Sequence, residues 1–125
     1  MKIVSADGSL VGKNEIGVLW VKGDNVMAGY YKNPQKTNEV LKDGWLCTGD
    51  LALFTDEGFL KIKGRNDDLI IKAGMNIYPQ EIESALKLDY RVKDVFVRGY
   101  TDDKLGVQIE LNITGDFSDV SEVKD

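Results

Sequence analysis

The sequence predicts an α+β chain in two parts, a small β-barrel-like subdomain over residues 1–65 and a small α+β domain over residues 66–125 in the order β-α-β-β. Three observations carry that prediction. The first half is a series of short apolar runs separated by glycine-bearing turns, the pattern of many short strands. The second half sets one amphipathic helical stretch among strand-like stretches. Composition changes at the join. Residues 1–65 hold nine Lys/Arg against eight Asp/Glu and nine of the thirteen glycines, whereas residues 66–125 hold seven Lys/Arg against thirteen Asp/Glu. Both shifts fall near Arg65, which marks the boundary.

In the first half, Ile3 to Ser5 reads as a strand running into the Asp7-Gly8 turn. Ile16 to Lys22 is apolar and β-branched, too short for a helix, and ends at Gly23-Asp24. Asn33-Pro34 has the form of a helix start, with Asn33 as N-cap and Pro34 in the first turn. Thr37, Val40 and Leu41 then share a face of a short helix that Asp43-Gly44 ends. Trp45 to Cys47 and Leu51 to Phe54 flank a Thr48-Gly49-Asp50 corner, and Asp56-Glu57-Gly58 turns the chain into Phe59 to Lys63.

In the second half, Leu69 to Lys72 reads as a strand broken at Ala73-Gly74. Pro79 opens a helix to about Leu88, with Ile82, Ala85 and Leu86 as its apolar stripe. Glu81 and Glu83 sit near its start and Lys87 near its end, as the helix dipole favours. Val92 to Tyr100 and Gly106 to Thr114 read as strands joined through Thr101 to Lys104. Val107, Ile109, Leu111 and Ile113 alternate, which predicts one buried face. Ser118 is in position to cap a further helix.

Composition narrows the function classes. A chain of 125 residues, 42% apolar and 30% charged, is a globular mixture that supports a core without staples. The longest apolar run, Ile16 to Val21, is too short to span a membrane, and no signal-peptide pattern follows Lys2. The net charge of −5 argues against nucleic acid, whose phosphates demand a basic face. The single Cys47 forms no internal disulfide and fits a reducing, cytoplasmic setting. With no histidine, the chain has no His-based proton transfer, no Ser-His or Cys-His pair and no His-ligated metal.

Three stretches combine polar corners with glycines. In Gly44-Trp45-Leu46-Cys47-Thr48-Gly49-Asp50, a carboxylate beside a glycine is suited to accept two hydrogen bonds from a vicinal diol; by itself the corner reads first as Thr48 and Asp50 satisfying local backbone N–H groups. In Gly64-Arg65-Asn66-Asp67-Asp68, the arginine fork suits phosphate or ribose oxygens and suits a surface ion pair as well. The third runs from Lys72 to Glu83, where Gly74 either admits a ligand against the backbone or supplies a positive φ to a turn. Lys72 reads as solvated, Tyr30, Tyr31 and Trp45 as core or barrel-edge aromatics, and Cys47 as inert.

Taken together, Glu15-Ile16-Gly17, Gly23, Gly29-Tyr30-Tyr31, Asn33-Pro34, Thr37, Gly44-Trp45, Thr48-Gly49-Asp50, Gly64-Arg65-Asn66-Asp67-Asp68 and Asn76-Ile77-Tyr78-Pro79-Gln80-Glu81-Ile82-Glu83 resemble, in order, the later motifs of the adenylate-forming (AMP-dependent) synthetase and ligase superfamily. Each is weak alone; in this order, over residues 12–113, they are specific. The Asn76 to Glu83 wording is most similar to the acyl-CoA synthetase branch. The resemblance implies that Asp50 and Arg65 hold the ribose of ATP or AMP, that Asp67 is the hinge of a mobile C-terminal domain, and that Gly74 lines a pantetheine channel. It implies ATP, Mg²⁺ and coenzyme A as cofactors, a small carboxylate as substrate, and two steps, acyl-adenylate then thioester.

The departures shape the expectation. The phosphate loop, the metal-associated glutamate motif and the late Gly-Lys lysine are not in this sequence, and Ile71 stands where luciferase-like branches carry a lysine. The chain is therefore expected to be a fragment: the last β-subdomain of the large domain plus a mobile domain truncated before its end. By itself it is expected to hold no catalytic residue, no metal ligands and no activity. Two other readings stand beside this one: a stand-alone binding or interaction module, and part of an amino-acid-adenylating domain.

Overall fold

A computed structural model describes residues 1–117. It is mixed α+β and mostly strand, and it divides into two compact units, the first Met1–Asp67 and the second beginning at Asp68. Among the described residues, no helix is long and apolar enough to cross a membrane. The helix start expected at Ser118 lies outside the described residues.

The first unit is one curled antiparallel sheet of β1 (Lys2–Val4), β2 (Gly17–Val21), β3 (Leu41–Lys42), β4 (Trp45–Phe54) and β5 (Leu60–Arg65). β1, β2 and β4 run side by side, and β3 and β5 both pair with β4. Alternation sends Ile3, Leu19 and Ala52 to one face, where they form the core with Val11, Val21, Phe54 and Leu60 packed around them. On the other face the Lys2 ammonium lies 4.5 Å from the centre of the Trp45 ring. Gly17 sits where β1 and β2 press together, and a Cβ there would stand 2.6 Å from the Val4 carbonyl oxygen.

Helix α1 (Pro34–Val40) begins as expected, with the Asn33 side chain accepting from the Lys36 N–H at 3.0 Å. Its end differs. Leu41 is not on the helix face but extended, and Asp43-Gly44 does not terminate the helix. With φ of 53° and 77°, those two residues form the tight turn of a β3–β4 hairpin in which Lys42 pairs with Trp45. Paired positive φ angles match the twist of a two-residue hairpin, so the Asp-Gly signal marked a strand turn. Tyr31 is 87% exposed, not core or barrel edge. Thr37 pins this segment, donating to the Asn33 carbonyl and accepting from the Tyr30 N–H, both at 2.9 Å.

The second unit contains β6 (Ile70–Lys72), β7 (Met75–Ile77), α2 (Pro79–Leu86), β8 (Val92–Asp102) and β9 (Gly106–Gly115). Its order is therefore β-β-α-β-β, one strand more than expected. Ala73 and Gly74, with φ of 50° and 78°, turn β6 directly into β7, so the expected break is a second tight hairpin. Ile70, Val95 and Val97 form the core, with Ile82 and Leu86 of α2 and Val107, Ile109 and Ile113 of β9 against it. Ala85 is exposed, and Leu111 is 48% exposed, so neither stripe is as wide as its pattern implied. The Glu83 carboxylate accepts from the Val97 N–H at 2.9 Å, tying α2 to the edge of β8. Lys72 is half-buried and donates to Gln108 at 3.3 Å, so it is not simply solvated.

Between α2 and β8 the chain is held by Asp89. It accepts from Arg91 Nη2 at 2.7 Å, Nε at 3.1 Å and backbone N–H at 3.0 Å. The Arg91 side chain, then its backbone N–H, brings the Asp89 carboxyl from its ordinary 3.8 down to about 2. Because the folded value lies below the unfolded one, this contribution is complete above about pH 4 and is lost as pH falls through about 2.

Two outcomes follow from this packing. Gly17→Ala should destabilise the chain by about 1–3 kcal/mol through overpacking against a backbone that cannot move aside, read as a lowered denaturation midpoint at unchanged slope. Asp89→Asn should lower the midpoint at neutral pH, and the gap between variant and parent should close as pH approaches 2. A gap that persists there would place the effect outside the carboxylate's charge.

Candidate functional site

The site is built on an irregularity in β4. Val18 pairs with Leu51 and Trp20 with Cys47, so Thr48, Gly49 and Asp50 stand opposite the single residue Leu19. The expected strand–corner–strand is thus one ten-residue strand with a bulge in it. Gly49 makes the bulge possible: its φ of 75° lies in the left-handed region, where an L side chain is strained.

The Thr48 hydroxyl fixes the bulge. It donates to the Leu19 carbonyl across the sheet at 2.9 Å and accepts from the Asp50 N–H at 3.0 Å. One half of the local-backbone reading thus holds for Thr48, while Asp50 uses its carboxylate elsewhere.

Along the outer edge of β4, β3 pairs with Trp45 and Leu46, and β5 with Asp50 to Phe54. The bulge lies in the gap between them, and Arg65 fills it. Arg65 is the cross-strand partner of Asp50 at the end of β5. Its Nη1 donates to the Thr48 carbonyl at 2.7 Å and to Asp50 Oδ1 at 2.9 Å. A Cβ on Gly49 would stand 2.8 Å from Arg65 Nη2, so the guanidinium lies directly over the glycine.

The structure therefore brings Asp50 and Arg65 together, and Asp50, from another strand, is an ion-pair partner of Arg65. The two side chains are 31% and 49% exposed. A pair so open contributes at most about 1 kcal/mol to stability. Chemically, the arrangement is a fixed anionic acceptor beside a fixed planar donor at the protein surface, suited to a ligand that offers hydroxyls and accepts hydrogen bonds.

The other expected site residues lie elsewhere. Asp67 is in a single 3₁₀ turn, Asn66–Asp68, and is the last residue of the first unit. Gly74 is in the β6–β7 turn of the second unit, exposed, with nothing within 4 Å of where its Cβ would be. Its φ of 78° is the turn's demand, while the open space beside it leaves the backbone approachable. Among the described residues, no group of three or more Cys, Asp or Glu is placed to hold a metal ion. Reasoning from sequence missed the reach of Thr48 to Leu19, because that contact spans 29 residues and only the register of β2 on β4 creates it.

No protein-family model matches the chain. A long-chain-fatty-acid–CoA ligase of Haemophilus influenzae is 46% identical over 99 residues, 79% of this chain and 18% of that protein. The structure of o-succinylbenzoate–CoA synthetase from Bacillus subtilis with its acyl-adenylate intermediate superposes with a TM-score of 0.87 at 34% identity, over 98% of this chain and 25% of that one. The same enzyme with ATP and a magnesium ion gives a TM-score of 0.81 at 36% identity, over 90% of this chain and 23% of that one. The chain spans about a fifth of the length of the curated relatives it matches. At 46% identity over 79% of its length, the chain belongs to the adenylate-forming acyl-CoA ligase superfamily.

Proposed function

We propose that this chain is the ribose-gripping and hinge-bearing part of a longer ATP-dependent ligase that activates a carboxylic acid as its acyl-adenylate and transfers the acyl group to coenzyme A. The observation that carries this reading is the Asp50–Arg65 pair, fixed at 2.9 Å on an open edge of the sheet. Asp50 accepts hydrogen bonds from the two ribose hydroxyls of ATP or AMP, and Arg65 donates to nucleotide oxygens. Because the pair is weakly stabilising, exchanging part of it for ligand contacts costs the protein little.

Asp67 serves as the hinge, and Gly74 lines the pantetheine channel, where an exposed backbone without a side chain admits a narrow ligand. In the first step a carboxylate oxygen attacks the α-phosphorus of ATP and pyrophosphate leaves. In the second, the thiol of coenzyme A attacks the acyl carbon and AMP leaves. Mg²⁺ neutralises phosphate charge when bound, and the described residues supply no ligand set for it. The residues that carry out the chemistry belong to the longer protein, so this chain alone is expected to be inactive.

In the longer protein, Asp50→Ala should weaken the use of ATP about 10- to 100-fold in kcat/KM, since charge-assisted hydrogen bonds to two hydroxyls contribute roughly 1.5–3 kcal/mol. An unchanged ATP dependence would return Asp50 to a structural role. Asp67→Pro should separate the half-reactions, because proline fixes φ near roughly −65° and removes the freedom a hinge needs. ATP–pyrophosphate exchange should persist and thioester formation fail. Equal loss of both, with the fold intact by circular dichroism, would mean that Asp67 is not the hinge.

A further inference from the structure

We infer that Thr48 is a positioning residue for the nucleotide that acts through Asp50, an inference that rests on the ribose-binding reading of Asp50. A hydroxyl has one proton and two lone pairs. The Thr48 proton is committed to the Leu19 carbonyl at 2.9 Å, and a lone pair to the Asp50 N–H at 3.0 Å. The hydroxyl therefore bridges the neighbouring strand to the backbone of the residue that carries the carboxylate, across the extra length of the bulge.

That bridge anchors Asp50 from the β2 side, while the ladder to β5 holds it from the other. Gly49 gives the backbone between Thr48 and Asp50 its left-handed conformation, at the cost of giving this point the widest conformational choice in the strand. On the side-chain side, the Asp50 carboxylate accepts a hydrogen bond from the half-exposed Arg65, and the same Arg65 nitrogen donates to the Thr48 carbonyl at 2.7 Å. On the β2 side, the backbone support of the carboxylate thus runs through the Thr48 hydroxyl. Removing the hydroxyl frees the Asp50 N–H and the Leu19 carbonyl together, and a carboxylate displaced by a fraction of an ångström no longer meets two hydroxyls at once.

The test uses the longer ligase with ATP and with 2′,3′-dideoxy-ATP, which offers Asp50 no hydroxyls. Thr48→Val keeps the shape and removes the hydroxyl; Thr48→Ser keeps the hydroxyl. Thr48→Val should raise the KM for ATP about tenfold while kcat stays within about twofold, and the defect should shrink to about twofold or less with the dideoxy nucleotide. Thr48→Ser should restore most of the ATP KM. Asp50→Ala, run alongside, should show the same preference for a loss with ATP over a loss with the dideoxy nucleotide.

A Thr48→Val defect equal for both nucleotides, or a Thr48→Ser variant as impaired as Thr48→Val, overturns the positioning role while leaving the ribose reading of Asp50 in place. An Asp50→Ala defect equal for both nucleotides overturns the ribose reading and this inference with it. If Thr48→Val does not fold, Thr48→Ala carries the same comparison. If neither folds while Asp50→Ala does, the threonine is a requirement of the fold and the positioning role is overturned.

Discussion

The three residues that β4 places opposite Leu19 are the constraint from which the rest of the site follows. Surplus length in one strand of an antiparallel pair has to leave the ladder, and here it leaves at a glycine with a φ of 75°, held from the β2 side by a threonine hydroxyl. The surplus divides the outer edge of β4 in two, so that a short hairpin strand covers its start and β5 covers its end. The gap that remains exposes the Thr48 carbonyl, and the last residue of β5 reaches back to satisfy it. Arg65 and Asp50 meet because of backbone bookkeeping, before any ligand is considered.

The magnitudes explain why such a pair suits a binding site. An open ion pair adds at most about 1 kcal/mol to the fold, whereas the same charged groups can each make stronger charge-assisted bonds to a ligand that displaces water. The energy of holding them in place is carried by the buried Leu51 and Ala52 next to the bulge and by the backbone ladder. Pre-placed donors and acceptors then bind without a large ordering cost. Asp67, proposed as the hinge, follows Arg65 by two positions and is the last residue of the first unit.

Much of this was legible in the sequence for physical reasons that act locally. Asn33 before Pro34 announced a capped helix, alternation announced β9, and the Thr-Gly-Asp and Gly-Arg segments stood out as polar corners beside glycines. Where local signals were ambiguous, the reading went astray. Asp43-Gly44 reads as a helix end and Ala73-Gly74 as a break after a strand, and only the pairing of Lys42 with Trp45 and of Lys72 with Met75 shows that both are hairpin turns. Ala73 at a φ of 50° gave no warning, since alanine is not a turn residue. The Asp50–Arg65 pair and the Thr48–Leu19 bond were hidden because they are set by strand register across 15 and 29 residues. Sequence motifs thus singled out Asp50 and Arg65 separately, and only the sheet shows why they meet.

The most direct measurement is a structure of the longer protein with AMP bound. The account predicts the Asp50 carboxylate within hydrogen-bonding distance, about 2.5–3.0 Å, of both ribose hydroxyl oxygens, with the Thr48–Leu19 bond intact and the Arg65 guanidinium still over Gly49. A ribose lying beyond contact of Asp50, with the carboxylate engaged by Arg65 alone, would contradict it.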